Sequence, residues 1–330
     1  MATCLISGAA GFIGSHVTDC LIEAGHRVIA IDDLSGGFRE NVNPAALFLY
    51  GSIVDGEWIN NIVEDYRIEY IYHLAAYAAE GLSHFIRRFN YTNNLLGSVN
   101  LINAAVKHKV KCFVFTSSIA VLGSQEPPFT EKTPPKPEDP YGISKLAVEL
   151  DLKAAHKMWG LPYVIFRPAN VFGPRQNIGD PYRNVAGIFM NQILQGKPCT
   201  VFGDGTQTRA FTYVGDVAPV IAKAPFDPAC LGKEMNICGD QIVSVNELAR
   251  IIQTVMGKMT GVVCLPARKE AKHAYYENAS RAGCVAASKT TLYRGIQETV
   301  EWVKKHGSRQ GKPFENIEIE EGLPESWKKA

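Results

Sequence analysis

The sequence predicts an α/β fold: a doubly wound parallel sheet followed by a smaller lobe. Three observations carry that reading. Short β-rich runs alternate with amphipathic stretches through the first half of the chain, a pattern that places helices on both faces of a sheet joined by right-handed crossovers. The runs stay apolar instead of alternating, as strands covered on both faces do. Past about residue 170 Pro and Gly punctuate shorter pieces, and the 330 residues exceed the roughly 250 to 300 at which single cores stop growing.

In order, TCLIS is the first expected strand and a helix follows it to about residue 24. RVIAIDD and LFLYGS are the next two strands, then come a helix over 57 to 66, the strand YIYHLAA and a long helix over 83 to 107. CFVFTSS, a helix from about 141 and the strand PYVIFRPAN close the first unit, residues 1 to 170, rejoined by part of 211 to 240. The remainder, 171 to 330, mainly forms the second lobe, with helices expected over 184 to 195, 245 to 256 and 292 to 305. The charged tail PFENIEIEEGLPESWKKA is expected on the surface.

Composition excludes several classes of partner. The 34 basic and 33 acidic residues leave a formal net charge of +1, which gives no electrostatic case for nucleic acid or an anionic membrane, so any anion must be bound locally. Eight cysteines, Cys4, Cys20, Cys112, Cys199, Cys230, Cys238, Cys264 and Cys284, lack CxxC or His-rich spacing. They read as buried thiols of a reducing compartment, with no metal site. No signal-peptide pattern and no apolar run near the roughly 20 residues of a membrane span is evident, and a cytoplasmic protein is expected.

Directly after the first strand comes GAAGFIG, with Gly8, Gly11 and Gly14. Missing side chains there allow a tight turn and close approach of a pyrophosphate to backbone amides at a helix N-terminus, as in a Rossmann dinucleotide site. The spacing is GxxGxxG, and taken alone it fits a plain strand-turn-helix too. Asp32 ends the second strand, where a carboxylate accepts hydrogen bonds from a ribose diol and repels a 2′-phosphate, favouring NAD; Asp33 adjoins it and is a candidate for the same role.

PEDPYGISKLAVEL sets Tyr141 and Lys145 at i, i+4 near a helix start, on one face. A Tyr with pKa near 10 is a poor base, but an ammonium and a cationic nicotinamide beside it favour the phenolate. The pair fits a proton shuttle, and by itself also a solvated helix face. Before it, FTSSIAVLG ends an apolar strand in Thr116, Ser117 and Ser118, a position that is either a strand end or the rim of a site.

GAAGFIG, Asp32, HLAA, Asn94 in NLLGS, FTSS and YGISK occur together in the order and spacing of the extended short-chain dehydrogenase/reductase family, and RPANVFGPRQ and VFGDGTQTRAFTYVGDVA resemble the substrate-lobe motifs of its nucleotide-sugar epimerases and dehydratases. The resemblance covers roughly residues 1 to 300. It implies an enzyme with NAD held by Gly8, Gly11, Phe12, Ile13, Gly14, Asp32, Asp33, Ile53, Leu74, Ala75, Ala76, Asn94, Tyr141 and Lys145. Tyr141 would be the acid/base, Lys145 would lower its pKa and bond the nicotinamide ribose, and Ser118 would bond the reacting hydroxyl. Asn170, Asn184, Phe202, Arg209 and, as a second diphosphate arginine, Arg281 would bind a UDP-sugar; guanidinium forks suit phosphate oxygens.

Relatives that dehydrate the sugar carry an Asp-Glu pair after the site hydroxyl, and decarboxylases a Glu; this chain has Ile119 and Ala120, which transfer no proton. The expected reaction is therefore 4-epimerisation of a UDP-hexose through a 4-keto intermediate. A 4,6-dehydratase, a keto-sugar reductase and a non-enzymatic sensor of NAD or nucleotide sugar are the alternatives. Ser52, Leu122, Ala210 and Cys284 depart from the family pattern, the first at the adenine end and the others on the substrate side. The family also implies a homodimer through helices near 84 to 107 and 141 to 158.

Overall fold

A computed structural model describes residues 1–268, 272–277, 289–308, 314–315 and 317–328. Its first unit is built from β1 (Thr3–Ser7), α1 (Phe12–Glu23), β2 (Arg27–Asp32), β3 (Leu47–Tyr50), α2 (Gly56–Asp65), β4 (Tyr70–His73), α3 (Glu80–Ser83), α4 (Arg87–Tyr91), α5 (Gly97–Lys107), β5 (Cys112–Thr116), α6 (Pro140–Trp159) and β6 (Tyr163–Pro168). Then come β7 (Val171–Phe172), α7 (Val185–Leu194), β8 (Cys199–Phe202), β9 (Thr208–Ala210), β10 (Thr212–Tyr213), α8 (Val214–Lys223), β11 (Lys233–Ile237), β12 (Ile242–Ser244), α9 (Val245–Met256), β13 (Val262–Leu265), β14 (His273–Ala274) and α10 (Leu292–His306).

Seven strands form one sheet in the order β3-β2-β1-β4-β5-β6-β11, every pair parallel. Because the order reverses between β1 and β4, their C-terminal ends open a crevice where ligands of such sheets bind. β5 and β6 are buried along their whole length, which is why they read as unbroken apolar runs. On one face Val17 and Leu21 of α1 meet Val217 and Ile221 of α8; on the other Ile59, Leu101, Val148 and Leu152 of α2, α5 and α6 cover the sheet. The second lobe packs α7, α9 and α10 around Phe189, Leu248, Ile252 and Ile296.

The long helix expected over 83 to 107 is interrupted. The Phe85 carbonyl accepts the N–H groups of Glu318 and Ile319 at 2.8 and 3.2 Å, so the chain leaves the helix there and restarts at Arg87. Between α4 and α5 it widens into a π-helical stretch, Thr92–Leu96. The tail is also not wholly at the surface: Leu323 and Trp327 are each 7% exposed, in one cluster with Ala79, Leu82 and Ile86. Among the cysteines expected to be buried, Cys264 is exposed and Cys20 half-buried, and Cys284 lies outside the described residues.

Candidate active site

A cleft of about 1710 Å3 runs along the C-terminal ends of β1, β4 and β5 and under the second lobe. Ordinary ligand pockets hold roughly 300 to 1,000 Å3, so this one has room for a dinucleotide and a second molecule together. Its first wall is the glycine turn. Gly8 has φ +76°, and a Cβ there would lie 2.7 Å from the Ala75 nitrogen; on Gly14 it would lie 2.0 Å from the Gly8 carbonyl oxygen. α1 can pack this close to β1 only without those side chains. Its N-terminus has no side-chain cap, which leaves amides of the first turn to a phosphate.

Asp32 stands beside that turn, its Oδ2 accepting the Ala10 N–H at 3.0 Å and its Oδ1 the Leu34 N–H at 2.8 Å. Burial pushes its carboxyl upward, and these bonds oppose the shift. An ionised carboxylate offers about four acceptor sites, so two bonds leave capacity for a diol. Asp33 accepts the Ser35 N–H at 2.9 Å. Phe12, Ile13, Ile53, Leu74, Ala75 and Ala76 complete this wall. Ser52 turns its hydroxyl to the Val54 N–H at 3.3 Å.

Asn94 is the exception among the residues expected here. It does not line the cleft: its Oδ1 accepts the Tyr77 N–H at 2.8 Å, and its Nδ2 donates to the Tyr77 carbonyl at 3.1 Å and to Asn90 Oδ1 at 2.7 Å. The wider π turn lets it reach the loop after β4, so Asn94 braces residues 74 to 77 from behind. His73 reinforces the brace, hydrogen-bonded at 2.7 Å to both Ser7 and Ser98, and Ser98 donates to the Asn94 carbonyl. Burial and the Lys145 charge hold the His73 imidazole far below its ordinary pKa, so it is neutral.

Tyr141 and Lys145 enter from the first turns of α6. Asp139 caps the helix by accepting the Gly142 N–H at 2.9 Å, Pro140 fixes its first position, and Asn90 Nδ2 holds the Pro140 carbonyl at 2.9 Å. Lys145 Nζ donates to the Thr116 carbonyl at 2.8 Å and lies 4.7 Å from the Phe115 ring centroid. Burial pushes this lysine down to about 7, with Glu149 one turn on opposing the shift. Burial pushes the Tyr141 phenol up, against a hydrogen bond with Ser118.

The hydroxyl run after β5 divides by role. Ser118 accepts the Ala120 N–H at 3.1 Å, which fixes the hydroxyl beside Tyr141. Thr116 Oγ1 and Ser117 Oγ are buried without a partner among the described residues, groups that a bound ligand would satisfy. Ile119 and Ala120 line the cleft on the next turn.

From the second lobe, Asn170, Asn184, Phe202 and Arg209 all line the cleft, whereas Arg281 lies outside the described residues. Asn184 spends its amide on the fold, Oδ1 accepting the Ala186 N–H at the start of α7 and Nδ2 bonding the Val171 carbonyl. Asn170 has φ +39° and donates to the Ala210 carbonyl at 3.1 Å. Arg209 donates to the carbonyls of Thr208 and Lys272 at 2.9 and 3.2 Å. Sequence reasoning missed Arg268, whose guanidinium carbon sits 3.8 Å from the Phe202 ring centroid, and Arg183, paired with Asp180 at 3.0 Å and stacked 4.4 Å from the Tyr77 centroid. It also missed Trp327. Arg183 and Arg268 fall in none of the quoted motifs, and Trp327 lies in the tail expected on the surface.

The geometry agrees with what the chain resembles. Residues 4–238 match the model of the NAD dependent epimerase/dehydratase family. A putative UDP-glucose 4-epimerase of Methanocaldococcus jannaschii is 34% identical over 310 residues, 92% of this chain and 98% of that one. Among solved structures, the UDP-glucose 4-epimerase of Thermotoga maritima with UDP-glucose matches with a TM-score of 0.86 at 35% identity, and that of Thermus thermophilus with NAD with 0.87 at 30%; each match covers 92% of this chain and 99% of the other. A parallel sheet with a glycine crevice, an acid at the end of β2 and a Tyr-Lys pair at the end of β5 defines a nicotinamide-dependent enzyme. The chain belongs to the NAD dependent epimerase/dehydratase family, and its cofactor is NAD.

Proposed function

We propose that the protein is a 4-epimerase of a UDP-sugar. The observation that carries the reading is Tyr141 and Ser118 lining the same cleft as the glycine crevice, with the inert Ile119 and Ala120 on the adjoining turn. NAD supplies the hydride acceptor and donor. Tyr141 takes the proton of the sugar 4-hydroxyl as the 4-ketone forms and returns it afterwards, while the Ser118 hydroxyl holds the reacting oxygen. Burial by itself favours the neutral Tyr141 phenol and pushes Lys145 down to about 7; a cationic nicotinamide near the phenol would oppose that preference for Tyr141. Lys145 donates to the Thr116 carbonyl with its Nζ 5.8 Å from the Tyr141 ring centroid, where its protonated form adds to the same effect.

Asn170, Asn184 and Phe202 shape the substrate side. Arg209 and Arg268 are the arginines proposed for the diphosphate, Arg268 in the place that the motif reading gave to Arg281; paired guanidinium forks compensate a diphosphate in a nearly neutral protein. Residues 1 to 170 with 211 to 240 are proposed as the NAD unit and the rest as the substrate lobe.

Leu96, Ile143, Leu150, Met158 and Trp159 leave apolar surface exposed along the outer faces of α6 and the π stretch, and this supports a homodimer through those helices. Seven cysteines with no disulfide among the described residues support a cytoplasmic location. No helix among the described residues is long and apolar enough to cross a membrane. The deciding experiment incubates the protein separately with UDP-glucose, UDP-N-acetylglucosamine and UDP-glucuronate without added reductant. One of them is expected to give its 4-epimer, and Tyr141→Phe to lose about 10²- to 10⁴-fold in kcat while keeping its NAD. Loss of water from the sugar would assign the protein to the dehydratases instead.

A further inference from the structure

The segment from Phe314 onward lies outside the family match, which ends at residue 238. The first unit nevertheless holds it by specific bonds. The Glu318 carboxylate accepts the Arg88 and Phe89 N–H groups, each at 2.8 Å, at the start of α4, whose own N-cap residue provides no side-chain bond. Further on, Leu323 and Trp327 are buried with Ala79, Leu82 and Ile86, and the Trp327 indole meets Phe85 and Tyr182 edge-on, with ring centroids 6.4 and 5.3 Å apart. Gly322, Pro324, Glu325 and Trp327 thereby become part of the cleft lining.

Trp327 also reaches across the cleft. The Arg268 guanidinium carbon lies 3.8 Å from the Phe202 ring centroid and 5.3 Å from that of Trp327. Phe202 belongs to β8 of the second lobe, whereas Trp327 rests on the first unit beside Gly81, so Arg268 is flanked by one aromatic ring from each side. Aromatic faces attract a guanidinium and limit its rotamers, and an arginine already oriented loses less freedom when an anion binds.

We infer that Trp327 is a positioning residue for Arg268, and that the tail carrying it is a wall of the substrate cleft that pre-orients the arginine toward a nucleoside diphosphate. This rests on the proposed reading of the cleft as a UDP-sugar site. The test is UDP binding to the NAD-containing protein by titration calorimetry, for the parent, Trp327→Ala, Trp327→Phe, Arg268→Ala and the Trp327→Ala/Arg268→Ala double variant. Trp327→Ala is expected to weaken UDP binding about three- to tenfold with NAD content unchanged, and Trp327→Phe, which keeps a ring, to recover most of the loss. In the Arg268→Ala background the Trp327→Ala change should have no further effect. In turnover the same variant should raise KM with kcat nearly constant.

The inference is overturned if the parent binds UDP and Trp327→Ala binds it equally well, if the two losses simply add, or if Trp327→Ala loses its NAD. A parent protein that does not bind UDP overturns the UDP-sugar reading itself, and this inference with it.

Discussion

Replacing Lys145 by Met is expected to abolish activity and yet stabilise the NAD-free protein. The lysine is 2% exposed, and burial pushes it from 10.5 to about 7. A displacement of that size corresponds to about 5 kcal/mol against folding when the group is fully protonated, and to about 4 kcal/mol at pH 7, where the folded protein holds about half a proton there and the unfolded chain a whole one. Against this, the variant loses the 2.8 Å bond from Nζ to the Thr116 carbonyl, a charged hydrogen bond worth about 1.5 to 3 kcal/mol. The net gain is about 1 to 3 kcal/mol, and with about 2.1 cal/mol/K of unfolding entropy per residue the melting temperature should rise by about 2 to 4 °C. Between the folded value near 7 and the unfolded 10.5 the unfolded chain binds more protons, so wild-type stability rises with pH through that window and the variant lacks this rise. The advantage of the variant should therefore be full below pH 7 and shrink by about 2 kcal/mol, roughly 3 °C, on going to pH 9. Calorimetric melting of both proteins, stripped of NAD, at pH 7 and pH 9 measures it. A variant that melts below wild type at pH 7, or a gap of constant size, would refute the reasoning that Lys145 is held against its desolvation cost.

Two further variants test the supports of the site. Glu149→Gln removes one partner of the fully buried Arg167 ion pair, and loss of about 3 kcal/mol, the low end for such a change, is expected because Glu234 still bonds Arg167 at 3.0 Å; a urea unfolding midpoint measures it. The same change removes the charge that raises Lys145, so the alkaline fall in activity should move to lower pH. Gly14→Ala would place a methyl 2.0 Å from the Gly8 carbonyl oxygen, and the purified protein should lose its bound NAD, read as a drop in absorbance at 260 nm relative to 280 nm.

What the sequence disclosed depended on how local the cause was. The strands, the glycine turn, Asp32 and the Tyr141-Lys145 spacing follow from residues close together in the chain, and the observed elements lie within a few residues of those expected. Helices α7, α9 and α10, expected over 184 to 195, 245 to 256 and 292 to 305, are found at Val185–Leu194, Val245–Met256 and Leu292–His306. What failed was non-local. The break before α4 is made by amides of the tail more than 200 residues on, and Trp327 looks like one aromatic residue in a charged segment until Leu82, Ile86 and Tyr182 gather around it. Arg268 could not be distinguished from other arginines because the ring it stacks on, Phe202, reaches it only through the β8–β13 pairing.

The bonding state of each polar side chain sorts these residues further than motif position does. Asn94 uses both amide hydrogens, on the Tyr77 carbonyl and Asn90 Oδ1, and accepts the Tyr77 N–H, so it shapes the loop that faces the ligand, while Asn184 spends one donor and one acceptor on the backbone. Asp32 and Ser118 are held by one or two backbone amides and retain acceptor capacity, the state expected of groups that must be oriented before a ligand arrives. Thr116 Oγ1 and Ser117 Oγ are buried with no partner among the described residues, a cost that a ligand bearing polar groups would remove. Two hydroxyls placed this way at the end of β5 thus gain hydrogen bonds when a ligand with polar groups binds, and this fits a cleft that holds NAD.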